Sequence, residues 1–543
     1  MANVTDSSSL LVVPSGWSDG VLGSLKPDDG SGDFTFSRGS DLSATRVNED
    51  GYIEKGYENL LLQSNSFDLS PWTTIGVDVP IGGQSGYDGT NDAWKINATT
   101  NISNIRQTRS QTGVITLSVY AKKGEYDYVG LYFSGDGVGV IFSLIDGGVE
   151  NPIVAYPDVY TNGESVGNGW FRFSITHNSS STGIAGIYAC ETTSYSGNTT
   201  FGEGIYIQDA MLNQGLSAYP YIETTTTTAK AATISEDQPR IDYTSGNGAL
   251  LIEPSRTNFV PSLLFNTFNG ASYTVSTTKI GEGMPLQHFT KNSLAQYAGH
   301  ILNGANVSVG DVWTFSCFFK PISGSNGFNK VSMEFYGQGS SIVYDYSTEG
   351  FFANPNGTPL PSNIHVETYP DGVYKIISIQ TSTVTTNRVN IYVDAYYNDN
   401  SEFLCGYAQA EKNESSASSY IPTYGTTATR AKDTATLTKN VAATGTIFIN
   451  INADSAKTLT FLGGNVSVTQ GVNKIALAYS PTALKISHNG SIVQNIARLL
   501  DTSSLTEIQL GHRNNFEQTI DSINQFLTLD SFLTDTELNE LTA

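Results

Sequence analysis

The sequence predicts an all-β protein built from tandem antiparallel β-sandwiches. Only 15% of its 543 residues are charged, whereas Gly (53) and Tyr (29) are abundant, which is typical of short strands joined by polar turns. Segment 114–120 alternates apolar and polar residues, the period of a half-buried strand. Most of the chain also repeats once. Several such strands in each repeat predict two packed sheets with an apolar layer between them.

Two copies of one module form the middle of the chain, over residues 58–223 and 258–430. Their first and last strings recur 199 positions further on, Asn59 as Asn258 and Tyr221 as Tyr420. Strings between them recur with small changes of offset, as expected when insertions fall in loops and the strands are kept. Duplication without a repeated reactive group favours a binding or spacing role over catalysis.

The segments that flank module 1 predict an arm and a linker. Residues 1–57 contain no long periodic segment, so we expect an extended N-terminal arm or small collar. Residues 224–257 begin with a tract of threonines, whose β-branched side chains favour an extended, stiff linker. The strings 239–243 and 250–257 then predict lead-in strands, paired around a Gly-Asn-Gly turn.

The last part of the chain, residues 431–543, predicts a third and smaller β-sandwich. Strings 446–452, 474–479 and 484–487 have the composition of strands. Near the end, Thr534 and Glu537 have the spacing of a capping box, and leucines follow at helical intervals. We therefore expect one short helix to close this domain.

The charge of the chain limits its partners. The formal net charge is −23 and the pI is near 4.5, so the surface as a whole repels phosphate backbones and anionic lipid heads. Nucleic acid is therefore not an expected partner. Neutral or cationic surfaces and the hydroxyl faces of sugars remain open, as does the alternative that the charge only keeps the protein soluble.

No basic start followed by an apolar run marks a signal peptide, and no apolar run approaches the ~18 residues that cross a bilayer. We expect synthesis in a cytosol and no insertion into a membrane. The three cysteines, Cys190, Cys317 and Cys405, are scattered and odd in number. Cys317 aligns with Val119 of module 1, so we interpret them as small core residues and not as bridges or ligands.

Several strings resemble structural proteins of tailed bacteriophages. In that family an arginine-bearing strand, a turn and a second strand lead into a jelly-roll module of carbohydrate-binding type. The strings that carry the resemblance are 34–38, 44–53, 239–243, 250–258 and 419–423. The resemblance implies jelly-roll modules, carbohydrate-binding-module-like, in a virion appendage such as a head or tail fibre. Module 1 lacks the terminal proline and lies between two halves of the lead-in, which leaves open whether both modules keep the same ligand surface.

The C-terminal domain resembles the end of a laminin-G or concanavalin-like sandwich. Strings 474–490, 510–511 and 533–538 carry this resemblance. The segment is short for that family, so either it is trimmed or it borrows strands from elsewhere in the chain.

The sequence contains no recognisable catalytic constellation, and we predict a protein that is not an enzyme. The six histidines have no paired spacing, and no nucleophile elbow or phosphate-binding loop is present. A carboxylate pair of the glycosidase kind could still be assembled in space. The aligned strands do not repeat one, since Glu334 of module 2 matches Tyr132 of module 1.

Sugar binding requires exposed aromatic platforms flanked by amide and acidic side chains. In module 2 the string Tyr396, Tyr397, Asn398, Asp399 has this composition. In module 1 the candidates are Trp94, Tyr126 and Tyr128, whereas Trp170 lies in an apolar run and is predicted to be core.

Metal chemistry is only weakly indicated. A structural calcium ion with Asp136 or Asp399 as ligands is possible by analogy with similar jelly rolls, but no Asp-rich loop has the required spacing. We expect no other metal and no cofactor.

Together these observations predict a non-enzymatic structural component of a phage virion that displays its modules for adhesion to bacterial surface glycans. The N-terminal arm is expected to bind other virion proteins, and self-association is expected to multiply weak contacts, with a homotrimer preferred over a dimer. The alternatives are a virion polysaccharide depolymerase and a capsid-decorating spacer that binds no sugar.

Overall fold

The computed structural model confirms an all-β architecture. It describes residues 7–13, 17–18, 20–39, 42–152, 159–231, 237–268, 272–291, 297–324, 328–336, 338, 341–395, 401–412, 416–439, 442–453, 456–462, 464–497, 506–510 and 521–543. Every ladder within these residues is antiparallel. Among them, no helix is long and apolar enough to span a bilayer.

The N-terminal region contributes short strands. They are β1 (Leu10–Val12), β2 (Trp17–Ser18), β3 (Val21–Leu22), β4 (Phe34–Ser37), β5 (Thr45–Val47), β6 (Ile53–Lys55) and β7 (Glu58–Asn59).

Module 1 follows with β8 (Thr73–Ile75), β9 (Ile81–Gln84), β10 (Ala93–Asn97), β11 (Asn104–Arg109), β12 (Gly113–Lys123), β13 (Tyr128–Phe133), β14 (Val138–Ser143), β15 (Val149–Pro152), β16 (Val159–Gly167), β17 (Trp170–Ser179), β18 (Gly183–Cys190) and β19 (Gly204–Gln214). Its first sheet has the order β16-β17-β12-β19-β10-β9, and its second sheet has the order β15-β14-β13-β18-β11-β8.

The linker and lead-in contain β20 (Ala229–Lys230), β21 (Arg240–Asp242), β22 (Ala249–Ile252) and β23 (Arg256–Asn258). The predicted strand pair is confirmed, because β21 pairs with β22.

Module 2 contains β24 (Asn266–Phe268), β25 (Ser272–Gly281), β26 (Met284–Lys291), β27 (Tyr297–Val307), β28 (Val312–Gly324), β29 (Phe328–Phe335), β30 (Ser341–Asp345), β31 (Gly350–Phe352), β32 (Ile364–Tyr369), a 3-10 turn (Pro370–Gly372), β33 (Val373–Thr381), β34 (Thr386–Ala395) and β35 (Ser401–Lys412). Its sheets have the orders β32-β33-β28-β35-β26-β25 and β31-β30-β29-β34-β27-β24.

The remaining elements are β36 (Ala428–Arg430), β37 (Thr434–Thr438), β38 (Gly445–Ala453), β39 (Lys457–Phe461), β40 (Gly464–Val468), β41 (Gly471–Ser480), β42 (Ala483–His488), β43 (Ser491–Ala497), β44 (Glu507–Leu510), β45 (Asp521–Leu529) and α1 (Asp535–Thr542). Helix α1 begins with the predicted capping box: the Glu537 amide donates to Thr534 Oγ1 (3.3 Å) and the Thr534 amide to Glu537 Oε2 (2.8 Å).

The two modules share one strand order and an equivalent pair of asparagine hydrogen bonds. Strand order is the same in both. In module 1 the Asn59 side chain donates to the carbonyl oxygens of Ala210 (3.1 Å) and Ile222 (2.8 Å). In module 2 the Asn258 side chain donates to the carbonyl oxygens of Ala408 (3.2 Å) and Ile421 (3.0 Å). The same asparagine therefore ties the start of each module to its last strand and to its closing segment.

The N-terminal segment is not a free arm, and this part of the sequence expectation is wrong. Strand β1 pairs with β45, and β4 pairs with β37, so both strands belong to the C-terminal sandwich. Leu10, Phe34 and Phe36 are buried in its core. These apolar side chains are too few to form a core of their own and are buried by joining the C-terminal sheets. The C-terminal domain thus borrows strands, one of the two alternatives left open by its short length.

The lead-in strand β22 also joins this domain through β45, and a buried ion network lies at the junction. Arg240 lies 2.8 Å from Glu253 Oε2 and also contacts Asp433, while Arg430 lies 3.0 Å from Glu253 Oε2. Ser419 donates its amide (2.7 Å) and hydroxyl (2.6 Å) to the same Glu253 carboxylate. The network links the lead-in, the end of module 2 and the C-terminal sandwich.

A second buried charge lies between the modules. The ammonium group of Lys55 lies 4.5 Å from the ring centre of Tyr219 and 5.5 Å from that of Tyr424, and it donates to the Gly56 carbonyl (3.1 Å). No carboxylate of the described residues lies within ion-pair distance. Burial lowers the pKa of Lys55 to about 7, while Glu58 acts weakly in the opposite direction.

The three cysteines are buried and unbridged, as predicted. Burial raises the pKa of the Cys190 and Cys317 thiols to about 12. They therefore behave as small apolar side chains and not as nucleophiles.

Candidate functional site

The outward surface of the first sheet of module 1 carries a cluster of aromatic side chains. In β12, Leu117, Val119 and Ala121 point into the core, so the alternate residues Tyr120 and Lys122 point outward. Strands β17 and β19 alternate in the same way. We define the aromatic face by the side chains that gather on this surface: Tyr87, Tyr120, Trp170, Arg172, Tyr206 and Tyr221.

The strand register places cations and rings alternately across the face. Lys95 of β10 lies opposite Tyr206 of β19, and Tyr206 lies opposite Lys122 of β12. Lys122 in turn lies opposite Trp170 of β17. The Lys95 ammonium group lies 5.6 Å from the Tyr206 ring centre. Adjacent strands are about 4.8 Å apart, so the row spans roughly 14 Å.

Tyr120 lies at the centre of a second group of side chains on the aromatic face. The ring of Tyr87 stacks on it, with centres 3.7 Å apart and planes 3° apart. The guanidinium group of Arg172 lies 5.3 Å from the same ring, and Trp170 packs edge-on against Tyr87 at 6.4 Å. Tyr120 and Trp170 are buried by these neighbours, whereas Tyr87, Tyr206 and Tyr221 remain partly exposed.

A buried carboxylic acid lies at the edge of this cluster. Asp209 occupies a β-bulge with φ of +53°, its amide donates to Asn65 Oδ1 (3.2 Å), and its Oδ2 accepts from the Tyr87 hydroxyl (2.9 Å). Burial raises the pKa of Asp209 to about 7; the hydrogen bond from Tyr87 acts against this, and the charges of Asp92 and Asp88 add to it. The acid therefore holds Tyr87 in place.

Gln208 fixes the loop that carries Tyr87. Its Oε1 accepts from the Tyr87 amide (3.0 Å), and its Nε2 donates to Asp92 (2.7 Å). The Tyr221 hydroxyl is hydrogen-bonded to the Ser64 hydroxyl, with 2.6 Å between the two oxygen atoms. The rings of Tyr87 and Tyr221 are thus pre-positioned by buried polar partners, which lowers the entropy lost when a ligand binds.

The equivalent surface of module 2 has the same strand order but fewer polar side chains. Tyr407 repeats the bulge, with φ of +52°. Alignment of the ladders shows that the polar and aromatic positions of module 1 have been replaced. The pairs are Tyr120 and Phe318, Trp170 and Val373, Tyr206 and Leu404, Gln208 and Gly406, and Asp209 and Tyr407.

This module 2 surface is covered by the rest of the chain. Its core-like cluster includes Ile53 of β6 together with Val114 and Leu216 of module 1. The contact is close: a Cβ atom on Gly281 of β25 would lie 1.8 Å from the Ile53 carbonyl oxygen. The surface of module 2 is therefore buried between the modules. The equivalent surface of module 1 is partly exposed where its aromatic side chains lie.

The platform residues predicted from sequence are only partly covered by the described residues. Tyr396, Tyr397, Asn398 and Asp399 lie outside the described residues, so their prediction stands as it was. Trp94 points towards the core side of β10: its ring packs edge-on against Phe67 (6.2 Å) and its Nε1 donates to the Asn65 carbonyl (2.9 Å).

Tyr126 is buried and Tyr128 lies on a different surface. Only 1% of Tyr126 is exposed and its hydroxyl donates to the Thr200 carbonyl, so this residue cannot stack on a sugar and the prediction is wrong for it. Tyr128 is partly exposed on the outward side of the second sheet. That surface also carries Tyr132 and Tyr188, which pack around the loop residue Tyr195.

Asp136 is engaged by protein groups and does not fit a calcium site. Its carboxylate lies 3.0 Å from Arg109 and accepts hydrogen bonds from the hydroxyls of Ser179, Ser180 (3.0 Å) and Ser181 (3.1 Å). Burial alone would raise the pKa of Asp136, but the serine hydrogen bonds outweigh it and lower the pKa. Within the described ranges, no group of three or more His, Cys, Asp or Glu residues could hold a metal ion.

The aromatic face was missed because Trp170 was interpreted as core. Trp170 is indeed only 1% exposed, but it lies on the outward side of the sheet and outside the main core cluster of module 1. The sequence could have indicated this surface through the residues that differ between the two modules at equivalent positions. Trp170, Tyr206 and Gln208 of module 1 correspond to Val373, Leu404 and Gly406 of module 2, which indicates a surface with two different uses.

The chain was compared with family models, curated proteins and solved structures. No family model and no curated protein matches the chain. Among solved structures, the N-terminal CBM22 tandem domain from Paenibacillus barcinonensis is similar over 69% of this chain and 99% of that chain, with 9% sequence identity and a TM-score of 0.21.

Proposed function

We propose that this chain is a non-enzymatic glycan-binding protein and that the aromatic face of module 1 is its ligand surface. The observation that carries the proposal is the contrast between the copies. In module 2 this sheet surface packs against the rest of the chain, whereas the aromatic end of the module 1 surface is partly exposed. A surface that only had to be soluble would not require stacked tyrosines held by a buried acid.

The chemistry of the face suits a saccharide. Tyrosine rings offer flat apolar surfaces to sugar C–H groups, while amide, hydroxyl and charged groups beside them accept and donate hydrogen bonds to sugar hydroxyls. Tyr206 and Tyr221 present partly exposed rings, and Lys95 and Lys122 flank the first of them. The shallow, extended shape favours a polymer over a small molecule.

Substitution of Tyr206 tests the surface directly. We expect Tyr206→Ala to weaken retention on a panel of immobilised bacterial surface polysaccharides by about tenfold, or ~1.4 kcal/mol, because one stacking platform is lost. Tyr206→Phe should retain most of the affinity, since the ring is kept. Tyr128→Ala, a partly exposed tyrosine of the opposite sheet, is the matched control and should bind like the unmodified protein.

The same incubation separates the alternative functions. Retention without release of oligosaccharide is the result expected for an adhesin. Released oligosaccharide would identify a depolymerase, and no retention on any polysaccharide would indicate a spacer. Equal loss of binding in Tyr206→Ala and Tyr128→Ala, with both variants folded, would contradict the assignment of the aromatic face.

We also propose that the protein works as part of a tailed phage virion, as a fibre or appendage on the head or tail. The support is the resemblance of strings 34–38, 44–53, 239–243, 250–258 and 419–423 to phage structural proteins. Because β1 and β4 lie in the C-terminal sandwich, we propose that the attachment to other virion proteins is on that composite domain. Self-association, preferably as a homotrimer, would multiply weak glycan contacts.

A further inference from the structure

The row of side chains across the aromatic face contains a cation without an anionic partner. Lys122 lies between Tyr206 and Trp170 in the cross-strand register. Its stem passes over the β16–β17 turn, where a Cβ atom on Gly169 would lie 3.6 Å from the Lys122 Cε. In the part of the chain that the structure describes, no carboxylate lies within ion-pair distance of this lysine.

Neighbouring cations on the same surface are engaged. Lys95 is paired with Glu125 at 2.8 Å. Arg172 donates to the Ser118 hydroxyl (3.3 Å) and to the Tyr219 carbonyl. Both side chains therefore have a structural function, whereas the ammonium group of Lys122 is available to a ligand.

The equivalent positions in module 2 show what happens when no ligand has to be bound. Lys320, which replaces Lys122, reaches the Thr278 hydroxyl at 3.4 Å, and Lys375, which replaces Arg172, lies 3.8 Å from Glu367. An unpaired lysine is also unexpected on composition, since the chain has 51 acidic residues for 28 basic ones. An ammonium group without a partner between two rings is suited to an anionic group carried on a sugar.

We infer that the polymer bound by the aromatic face is an anionic glycan, with its acidic group at Lys122 and the adjoining sugar ring on Tyr206. This inference rests on the proposed function. Glu125 is paired with Lys95 at the edge of the same row, Asp88 and Asp92 lie beside Gln208, and Glu164 lies opposite Arg172. These acids favour neutral hydroxyls beside them and leave Lys122 as the position on the face for the anion.

The net charge of −23 does not contradict this assignment. Exposed charges more than about 8 to 10 Å apart are screened at physiological salt, so the local row decides the interaction at contact. The overall charge slows the approach of a polyanion at low salt but does not remove a specific ion pair at the surface.

The test uses polygalacturonate and its fully methyl-esterified form, which share one backbone and differ in charge. With the full chain, we expect the charged polymer to bind about tenfold more tightly than the ester, and raising the salt should weaken only the charged interaction. Lys122→Gln should lose that advantage and bind both polymers alike. Lys123→Gln is the matched control, because Lys123 is paired with Asp127 in a separate contact.

Phosphorylated dextran, which carries phosphate on a polymer of sugar rings, forms the second arm and separates carboxylate from phosphate as the bound anion. Binding of either charged polymer that is reduced by Lys122→Gln supports the inference. Equal binding of the ester and the charged polymer, unchanged by Lys122→Gln but reduced by Tyr206→Ala, would overturn the anionic assignment and leave the proposed function intact. No binding of any polymer, charged or neutral, would count against both.

Discussion

Glu253→Gln is expected to lower the free energy of unfolding of the junction between module 2 and the C-terminal sandwich by about 3 to 5 kcal/mol. The substitution keeps the shape of the side chain but removes its charge. It leaves Arg240 and Arg430 buried with too little compensating charge, since both lie within 3.0 Å of the Glu253 carboxylate. Denaturant unfolding followed by circular dichroism measures the change.

The decrease in stability at acid pH is a second measurement that tests the role of Glu253. Burial alone would raise the pKa of Glu253, but Arg430 and Arg240 outweigh burial and hold it at about 2, below the usual 4.5. The contribution of this carboxylate is therefore complete above pH 4.5 and is lost as the pH falls towards 2. The Glu253→Gln variant should lack this part of the pH dependence.

The control for Glu253 is a carboxylate in an exposed pair. Glu282 lies 2.6 Å from Lys279, but 60% of its side chain is exposed. Glu282→Gln should change stability by less than about 1 kcal/mol. If Glu253→Gln had an equally small effect, the buried network would not be the link between the domains.

Lys55→Met is expected to act in the opposite direction and to stabilise the junction between the modules by about 2 to 4 kcal/mol at pH 6. The ammonium group of Lys55 is buried, and its contacts among the described residues are two tyrosine rings and one carbonyl oxygen. Methionine fills a similar volume without a charge. Thermal unfolding of the full chain at pH 6 measures the gain.

The effect should depend on pH in a defined direction. The folded-state pKa of Lys55, about 7, is below the usual 10.5, so the penalty for burying its charge is complete below pH 7 and is relieved as the pH rises towards 10.5. The unmodified protein should approach the stability of Lys55→Met across that window. Lys279→Met, at an exposed position, is the control. A loss of stability in Lys55→Met at pH 6 would mean that the tyrosine rings outweigh burial of the charge.

Much of the fold could be predicted from the sequence because it depends on local pattern and repetition. The period-two alternation around Val119 predicted a sandwich strand, and the recurrence of Asn59 as Asn258 predicted two equivalent modules; both are confirmed. The Thr534 capping box depends only on residues three apart and was also predictable. These features rest on interactions within one strand, one turn or one module.

The features that were not predicted depend on contacts between distant segments. Strand β1 pairs with β45 across almost the whole chain, and no local pattern in Leu10–Val12 indicates its partner. The side of the sheet that Trp170 occupies follows from the strand register, and its apolar neighbours suggested the core. Coverage of the module 2 surface by Ile53 requires the docked arrangement of the modules, which composition does not determine.

The central claim is that a glycan binds the aromatic face of module 1 and that the equivalent face of module 2 is closed. Hydroxyl-radical footprinting of the full chain, with and without the polysaccharide that the panel retains most strongly, tests it most directly. We predict protection of Tyr206 and Tyr221, with Tyr132 and Tyr188 of the opposite sheet unchanged. Protection of Tyr132 and Tyr188 with Tyr206 and Tyr221 still fully oxidised would contradict the account.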